Sequence, residues 1–180
     1  EGDKMKKVLI LALLLICTAL TCYAAEKKTG WDKVTRGWSR MPIRIYLDET
    51  GDYTSMIKSG FSDWESKSGR KVRFTYITKV HSGYANITVR IVDKFTDQTA
   101  GRTSANIGVN NIFKSKIDIG IHSQNGRKFS QEELDIIIRH EIGHALGLGH
   151  DEDKKSIMYP YVLRGQSITQ NDISKLLELY

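Results

Sequence analysis

Residues 140–150, His140-Glu141-Ile142-Gly143-His144-Ala145-Leu146-Gly147-Leu148-Gly149-His150, carry the strongest structural signal in this sequence. His140 and His144 stand four residues apart, so on a helix both imidazoles lie on one face, one turn apart. Two ring nitrogens on one rigid element can then meet the same metal ion. Glu141 is rotated by about 100° around the helix, which takes it off the ligand edge and lets it approach a water molecule in the metal's open position.

His150 is predicted to be the third protein ligand that a tetrahedral catalytic zinc ion requires. A continuing helix would separate it from His144 along the axis, so the chain must turn between them, and Gly147 stands where a positive φ would end the helix. We predict one catalytic zinc ion bound by His140, His144 and His150, with Glu141 as the general base. Two alternatives stay open: solvated histidines on a structural helix, and a structural zinc site, which normally takes four protein ligands.

The segments around this site show strand and helix patterns. Ser130 and Glu133 form a predicted capping box for the helix that carries the histidines. A last helix is predicted to begin at Thr169, with its buried face formed by Ile173, Leu176, Leu177 and Tyr180. Alternation predicts strands over 42–47, 72–77, 86–92, 101–109 and 116–121, and helical spacing predicts a helix over 53–66. This order predicts one α+β domain over residues 25–180.

Residues 1–24 resemble a secretory signal peptide. Met5 is the predicted start, two lysines follow it, an unbroken apolar run covers residues 8–17, and Ala24 ends a small-x-small cleavage site. We therefore expect secretion to the periplasm or the extracellular space, with no stable membrane span after cleavage. Both cysteines, Cys17 and Cys22, would leave with this segment, so no disulfide is expected. An uncleaved anchor and lipidation of Cys22 stay open as alternatives.

The composition favours a single globular domain that does not bind nucleic acid. The chain has 180 residues, of which 40% are hydrophobic and 27% charged, and its net charge is +6. Its basic residues are spread along the sequence, without a zinc-finger, RNA-recognition or helix-turn-helix pattern. We interpret the positive charge as a solvated surface and expect a monomer.

The pattern H-E-x-x-H-x-x-G-x-x-H at residues 140–150 resembles the signature of the metzincin clan of zinc peptidases. The segment Ser156-Ile157-Met158-Tyr159-Pro160 looks like the clan's Met-turn, which lies beneath the zinc ion. Astacins and serralysins carry a zinc-binding tyrosine where this chain has Pro160. Met-Tyr-Pro instead resembles the matrixins, the matrix-metalloproteinase branch, and the pattern is closest to compact bacterial matrixins.

The resemblance implies a zincin-like fold, with a mixed twisted sheet of about five strands, a long active-site helix and a C-terminal helix. It implies a secreted zinc metalloendopeptidase that uses a zinc-bound water. The substrate, a protein or peptide, would lie extended along an edge strand, for which residues 101–107 are our candidate. By the same resemblance, Met158 would form an apolar floor under the histidines, and an apolar specificity pocket would be bounded by Ile136, Ile137, Pro160 and Tyr161.

Some residues depart from the matrixin pattern. Asp151 stands where vertebrate matrixins have serine, which favours another metzincin branch, snapalysin-like or adamalysin-like, although Pro160 opposes that interpretation. Only His81 and His122 remain for a second metal site, so we predict a single zinc ion, and calcium has no support in the sequence.

Two further questions stay open. Asp172 either pairs with a new N-terminal ammonium group after processing or is a surface residue that the helix dipole stabilises. The main alternative to an enzyme is a non-enzymatic, zinc-stabilised binding module. Glu141 argues against that alternative, because a scaffold needs no general base.

Overall fold

The computed structural model describes residues 36–109 and 111–180. The predictions of a signal peptide, of lipidation and of cysteine removal concern residues 1–24, which lie outside these ranges, so they stay predictions. Within the described ranges, no helix combines the length and the apolarity that crossing a bilayer requires.

All the strands and helices expected from the sequence are present in the described part of the chain. In order they are β1 (Ile43–Asp48), α1 (Thr54–Lys67), β2 (Phe74–Tyr76), β3 (Ile87–Val92), β4 (Gly101–Ile107), β5 (Ile112–Gly120), α2 (Gln131–Ala145) and α3 (Gln170–Leu177). Three strands differ from prediction by more than one residue in length, and one of them, β4, ends at Ile107 instead of residue 109. β2 is shorter, because it pairs only with β1, whereas β5 begins earlier, because β3 and β4 pair along both of its sides. The α+β prediction is confirmed.

The strands form one mixed sheet in the order β2-β1-β3-β5-β4. β2, β1, β3 and β5 run parallel, and such neighbours need crossover connections, of which α1 supplies the one between β1 and β2. β4 runs antiparallel to β5, with Thr103 opposite Ile117. Because β4 is the last strand of this sheet, no strand from the described residues lies beside its outer edge. The edge position expected for residues 101–107 is therefore correct.

Helix α2 lies in the centre of the core, packed against α1, β4 and β5. Most of its residues from Leu134 onward are buried. Helix α1 contacts it at Gly60, where an added Cβ would lie 2.9 Å from Cδ1 of Ile142, and at the fully buried Trp64, whose indole N–H donates to the main-chain oxygen of Arg139 at 3.0 Å. Burial of one such side chain contributes roughly 1.5–3 kcal/mol. The helix with the histidines is thus held firmly by its neighbours.

The buried face of α3 differs from the prediction at Leu177 and at Tyr180. Ile173 and Leu176 are 4% and 0% exposed, but Leu177 is 40% exposed, so its assignment to the buried face is wrong. Leu177 is the last residue of the helix and lies one position round from Leu176, which turns its side chain away from the core. Tyr180 returns to the domain beyond the helix, where its hydroxyl donates to the main-chain oxygen of Leu146 at 3.0 Å.

Candidate active site

The start of α2 is fixed by the capping box that the sequence predicts. The Ser130 hydroxyl accepts from the N–H of Glu133 at 3.2 Å, and the Ser130 N–H donates to the Glu133 carboxylate at 2.8 Å. Arg127 also binds this carboxylate, at 2.9 Å. Burial alone would raise the pKa of Glu133, but these hydrogen bonds and the Arg127 charge outweigh it and hold the pKa below its usual value.

The end of α2 turns the chain back toward the site. Gly147 has a φ of +103°, and the N–H of Leu148 donates to the main-chain oxygen of Gly143 at 3.0 Å. A Cβ added at Gly147 would lie 2.2 Å from the main-chain oxygen of Arg36. Glycine is therefore required here for its φ and for the close approach of a second segment, and the turn brings His150 beside the helix.

The structure brings His140, His144 and His150 together. One nitrogen from each ring lies within 4.8 Å of the others, and this is the only cluster of at least three His, Cys, Asp or Glu ligands among the described residues. The ring centroids of His140 and His144 are 4.5 Å apart, and those of His144 and His150 are 4.9 Å apart. Three converging imidazoles suit zinc, which commonly binds histidine nitrogen.

Main-chain carbonyls orient two of these rings. Nδ1 of His140 lies 2.8 Å from the oxygen of Ile157, and Nδ1 of His144 lies 2.9 Å from the oxygen of Leu148. A carbonyl oxygen only accepts, so each Nδ1 carries the proton and donates it. The free lone pair of each ring is then on Nε2. A histidine whose Nδ1 donates a hydrogen bond in this way binds a metal through Nε2.

Burial lowers the pKa of His144 well below its usual value, and the adjacent His140 and His150 lower it further. Their combined effect exceeds that of the hydrogen bond to Leu148, which acts in the opposite direction. His144 is therefore neutral at physiological pH. Because only the neutral imidazole is a ligand, the ring can bind a metal ion without first losing a proton.

Glu141 is 3% exposed and lies against strand β4. Its Oε2 accepts from the hydroxyl of Thr103 at 2.6 Å. A Cβ added at Gly101 would lie 2.5 Å from Oε1 of Glu141, so the strand approaches the carboxylate closely at this glycine. Sequence reasoning missed both β4 residues. Strand alternation places them on the inward face, but it does not show which helix residue they meet.

Met158 lies beneath α2, where the resemblance implied an apolar floor. It is 2% exposed, and its Sδ lies so near Gly143 that an added Cβ there would be 2.3 Å away. Its turn is fixed at both ends, because the N–H of Met158 donates to the Ser156 hydroxyl and its oxygen accepts from the N–H of Asp151, each at 2.9 Å. The same turn supplies the Ile157 carbonyl that orients His140.

Asp172 is 1% exposed, so its interpretation as a surface residue is wrong. It lies at the start of α3, where its Oδ2 accepts from the N–H and the hydroxyl of Thr169, each at 2.7 Å. Its Oδ1 accepts from the hydroxyl of Ser156 at 2.5 Å. Asp172 thus joins α3 to the turn of Met158. The idea that it pairs with a processed N-terminus concerns residues outside the described ranges and stays a prediction.

Asp151, next to His150, forms a second link to α3. Its carboxylate accepts from the amide of Asn171 and the ammonium of Lys175, each at 2.8 Å. Burial alone would raise the pKa of Asp151, but the N–H of Asp153 and the charge of Lys175 hold it below its usual value. An ionised, nearly buried carboxylate therefore fixes the chain directly after His150.

Ile136, Ile137, Pro160 and Tyr161 line one pocket together with His140 and Glu141, as the resemblance implied. The pocket has a volume of about 10 Å³, close to that of a single water site. His81 and His122 lie elsewhere and contact Thr78 and Asp93 respectively.

Comparisons with known proteins agree with this geometry. The family model described as Matrixin matches residues 44–180. Metalloendoproteinase 1 of Glycine max is 43% identical over 51 residues, which cover 27% of this chain and 17% of that protein. Neutrophil collagenase of Homo sapiens is 28% identical over 138 residues, covering 69% of this chain and 28% of that protein. The chain thus spans less than a third of the length of either relative.

The solved structure of myroilysin resembles the fold of this chain, with a TM-score of 0.56 and 15% identity over 88% of both chains. At this identity the likeness concerns the fold alone. Together with the sheet and helix arrangement, it supports the metzincin-type architecture expected from the sequence.

Proposed function

Since this chain belongs to the matrixin family of zinc-dependent metalloendopeptidases, we propose that it is secreted and hydrolyses internal peptide bonds of proteins or peptides. The observation that carries the proposal is a buried carboxylate, Glu141, next to three converging imidazoles at the edge of a sheet. The secretion part rests on the signal-peptide pattern of residues 1–24.

In the proposed reaction, His140, His144 and His150 would hold the zinc ion through ring nitrogens. Zinc in such a site is a Lewis acid that activates water and polarises a carbonyl group. Glu141 takes the proton of the attacking water and later gives it to the nitrogen of the leaving amine. Its position on the helix, one residue after His140, would keep the carboxylate beside the zinc site without making it a ligand.

The substrate is proposed to lie along the open edge of β4. That strand pairs with β5 on one side only, so its outer N–H and C=O groups can pair with an extended peptide. The pocket beside Glu141 has apolar walls at Ile136, Ile137 and Val162, which favours an apolar residue after the scissile bond.

Glu141→Gln tests the function and separates it from a zinc-stabilised binding module. The protein is assayed for zinc content and for cleavage of an internally quenched peptide library, with and without a chelator. We expect one zinc ion per chain in both forms and a loss of about 10²–10⁴-fold in kcat/KM for Glu141→Gln. Glu152→Gln, at an exposed position, is the matched control and should behave as the wild type.

Two results would contradict the proposal. A wild-type protein that holds zinc yet cleaves no peptide would favour the binding module. A Glu141→Gln protein that cleaves at the wild-type rate would remove Glu141 from the mechanism while leaving the family assignment intact.

A further inference from the structure

The inward face of β4 contacts the Glu141 carboxylate. Gly101 and Thr103 alternate with the exposed residues Arg102 and Ser104, so both face α2. Thr103 is only 4% exposed although it is polar. A buried hydroxyl in a core needs a partner, and here the partner is the group proposed as the general base.

The hydroxyl of Thr103 has one proton and two acceptors within reach. Oε2 of Glu141 lies at 2.6 Å and the main-chain oxygen of the same residue at 3.0 Å. Hydroxyl donors form shorter and stronger bonds to a carboxylate than to a neutral carbonyl, and 2.6 Å falls in that shorter range. The proton is therefore directed mainly to the carboxylate, and the second contact holds the hydroxyl over the same helix residue.

Gly101 restricts the carboxylate from another direction. A Cβ at this position would lie 2.5 Å from Oε1 and 2.6 Å from Cγ of Glu141. The Glu141 side chain thus fills the space that a side chain at position 101 would take, and it lies directly against the strand backbone. The hydroxyl of Thr103 therefore binds one carboxylate oxygen, and the backbone at Gly101 packs against the other.

We propose that Thr103 is a positioning residue that holds the Glu141 carboxylate in the orientation required for proton transfer. This inference rests on the proposed function. It also connects the two roles of β4, because the strand whose outer edge is proposed to bind the substrate holds the general base from its inward face. Seating of a peptide on that edge would then be coupled to the placement of Glu141.

The test compares Thr103→Val, which keeps the shape and removes the hydroxyl, with Thr103→Ser, which keeps the hydroxyl. The matched control is Ser115→Ala, because Ser115 is also buried in the sheet but donates to the main-chain oxygen of Ser104 at 3.0 Å. Steady-state kinetics, zinc content and thermal stability are measured for all variants.

We expect Thr103→Val to lose about tenfold in kcat, with KM and zinc content unchanged. Thr103→Ser should recover most of the lost rate, and Ser115→Ala should lose stability without losing kcat. A merely structural hydroxyl predicts the reverse for Thr103→Val: lower stability at the wild-type kcat. That result, or an equal loss of kcat in Ser115→Ala, would overturn the inference.

Binding of a peptide hydroxamate provides a readout without turnover, because a hydroxamate that chelates the zinc ion would bring its hydroxyl donor beside the Glu141 carboxylate. Calorimetry should show binding that is weaker by about fivefold or more in Thr103→Val and restored in Thr103→Ser. Equal affinity in all forms would overturn the inference even if the wild type cleaved no peptide. Absence of cleavage with zinc bound would contradict the proposed function instead.

Discussion

Gly143→Ala tests whether the turn of Met158 supports α2 as closely as the structure indicates. The added Cβ would lie 2.3 Å from Sδ of Met158 and 3.1 Å from the indole of Trp64. Both side chains are buried, at 2% and 0% exposure, so neither can swing into solvent. Since carbon and sulfur atoms prefer separations of about 3.5–4 Å, the helix and the turn must move apart by more than about 1 Å.

Two opposing effects determine the size of the change. Alanine is favoured over glycine inside a helix by about 1 kcal/mol. Overpacking a buried site costs about 1–3 kcal/mol, and an overlap of this size belongs at the upper end. We expect a net loss of about 2 kcal/mol in the free energy of unfolding, which lowers Tm by about 8 °C for a domain of this size.

The assay is thermal and urea unfolding of the zinc-loaded protein, with Gly83→Ala as the control, because a Cβ at Gly83 meets nothing within 4 Å. Met158→Ala alone should cost about 2–5 kcal/mol by leaving a cavity. In the double variant the new methyl group enters that cavity, so the combined loss should be smaller than the sum by about 1 kcal/mol or more. Additive losses, or a Gly143→Ala protein as stable as Gly83→Ala, would refute the proposed contact.

Two further predictions concern the groups around the site. Lys175→Met removes the ammonium group that pairs with the carboxylate of Asp151, whose side chain is only 8% exposed. Because Asp151 fixes the chain beside His150, we expect zinc transfer to a chromogenic chelator to become about tenfold faster. Lys175→Arg should restore the slow rate, and the control Lys154→Met, at an exposed position, should leave the rate unchanged. The pKa of Glu133 is lower in the folded protein than in the unfolded chain, where it is about 4.3. Its ionised form therefore stabilises the fold at pH values above the unfolded pKa. This stabilisation is lost as the pH falls through the pKa of the folded protein. Urea unfolding of the zinc-free protein should therefore show Glu133→Gln less stable than the wild type at pH 7 and nearly equal to it at about pH 3, whereas a difference independent of pH would contradict the assignment.

The sequence predicts the parts of the site that depend on local spacing. His140 and His144 share a face because a helix repeats every ~3.6 residues, and the capping box at Ser130 shows where that helix begins. Gly147 is recognisable from its position after the helix, and its φ of +103° matches the expected turn. These features need only neighbouring residues, so a single sequence is enough to find them.

Contacts between distant segments could not be predicted in the same way. The polar helix start around Asp172 predicts a surface position, but the hydroxyl of Ser156, 16 residues earlier, binds its carboxylate in the core. Thr103 and Glu141 are 38 residues apart and meet only because β4 is the edge strand beside α2. Alternation along a strand gives the face of a residue, and the partner depends on the register of the whole sheet.

Three glycines show why local sequence patterns and contacts between distant segments give different information. Gly147 is required by its own backbone angle, whereas Gly101 and Gly143 are required by atoms of Glu141 and Met158 that come from other parts of the chain. Local propensity alone would make alanine at Gly143 an improvement. The tertiary overlap makes alanine at Gly143 destabilising instead, because α2 lies so close to the Met158 turn that an added Cβ would meet its sulfur atom. The ligands of such a site can be found from spacing, but the residues that hold them in place become visible only when the packing around the helix is known.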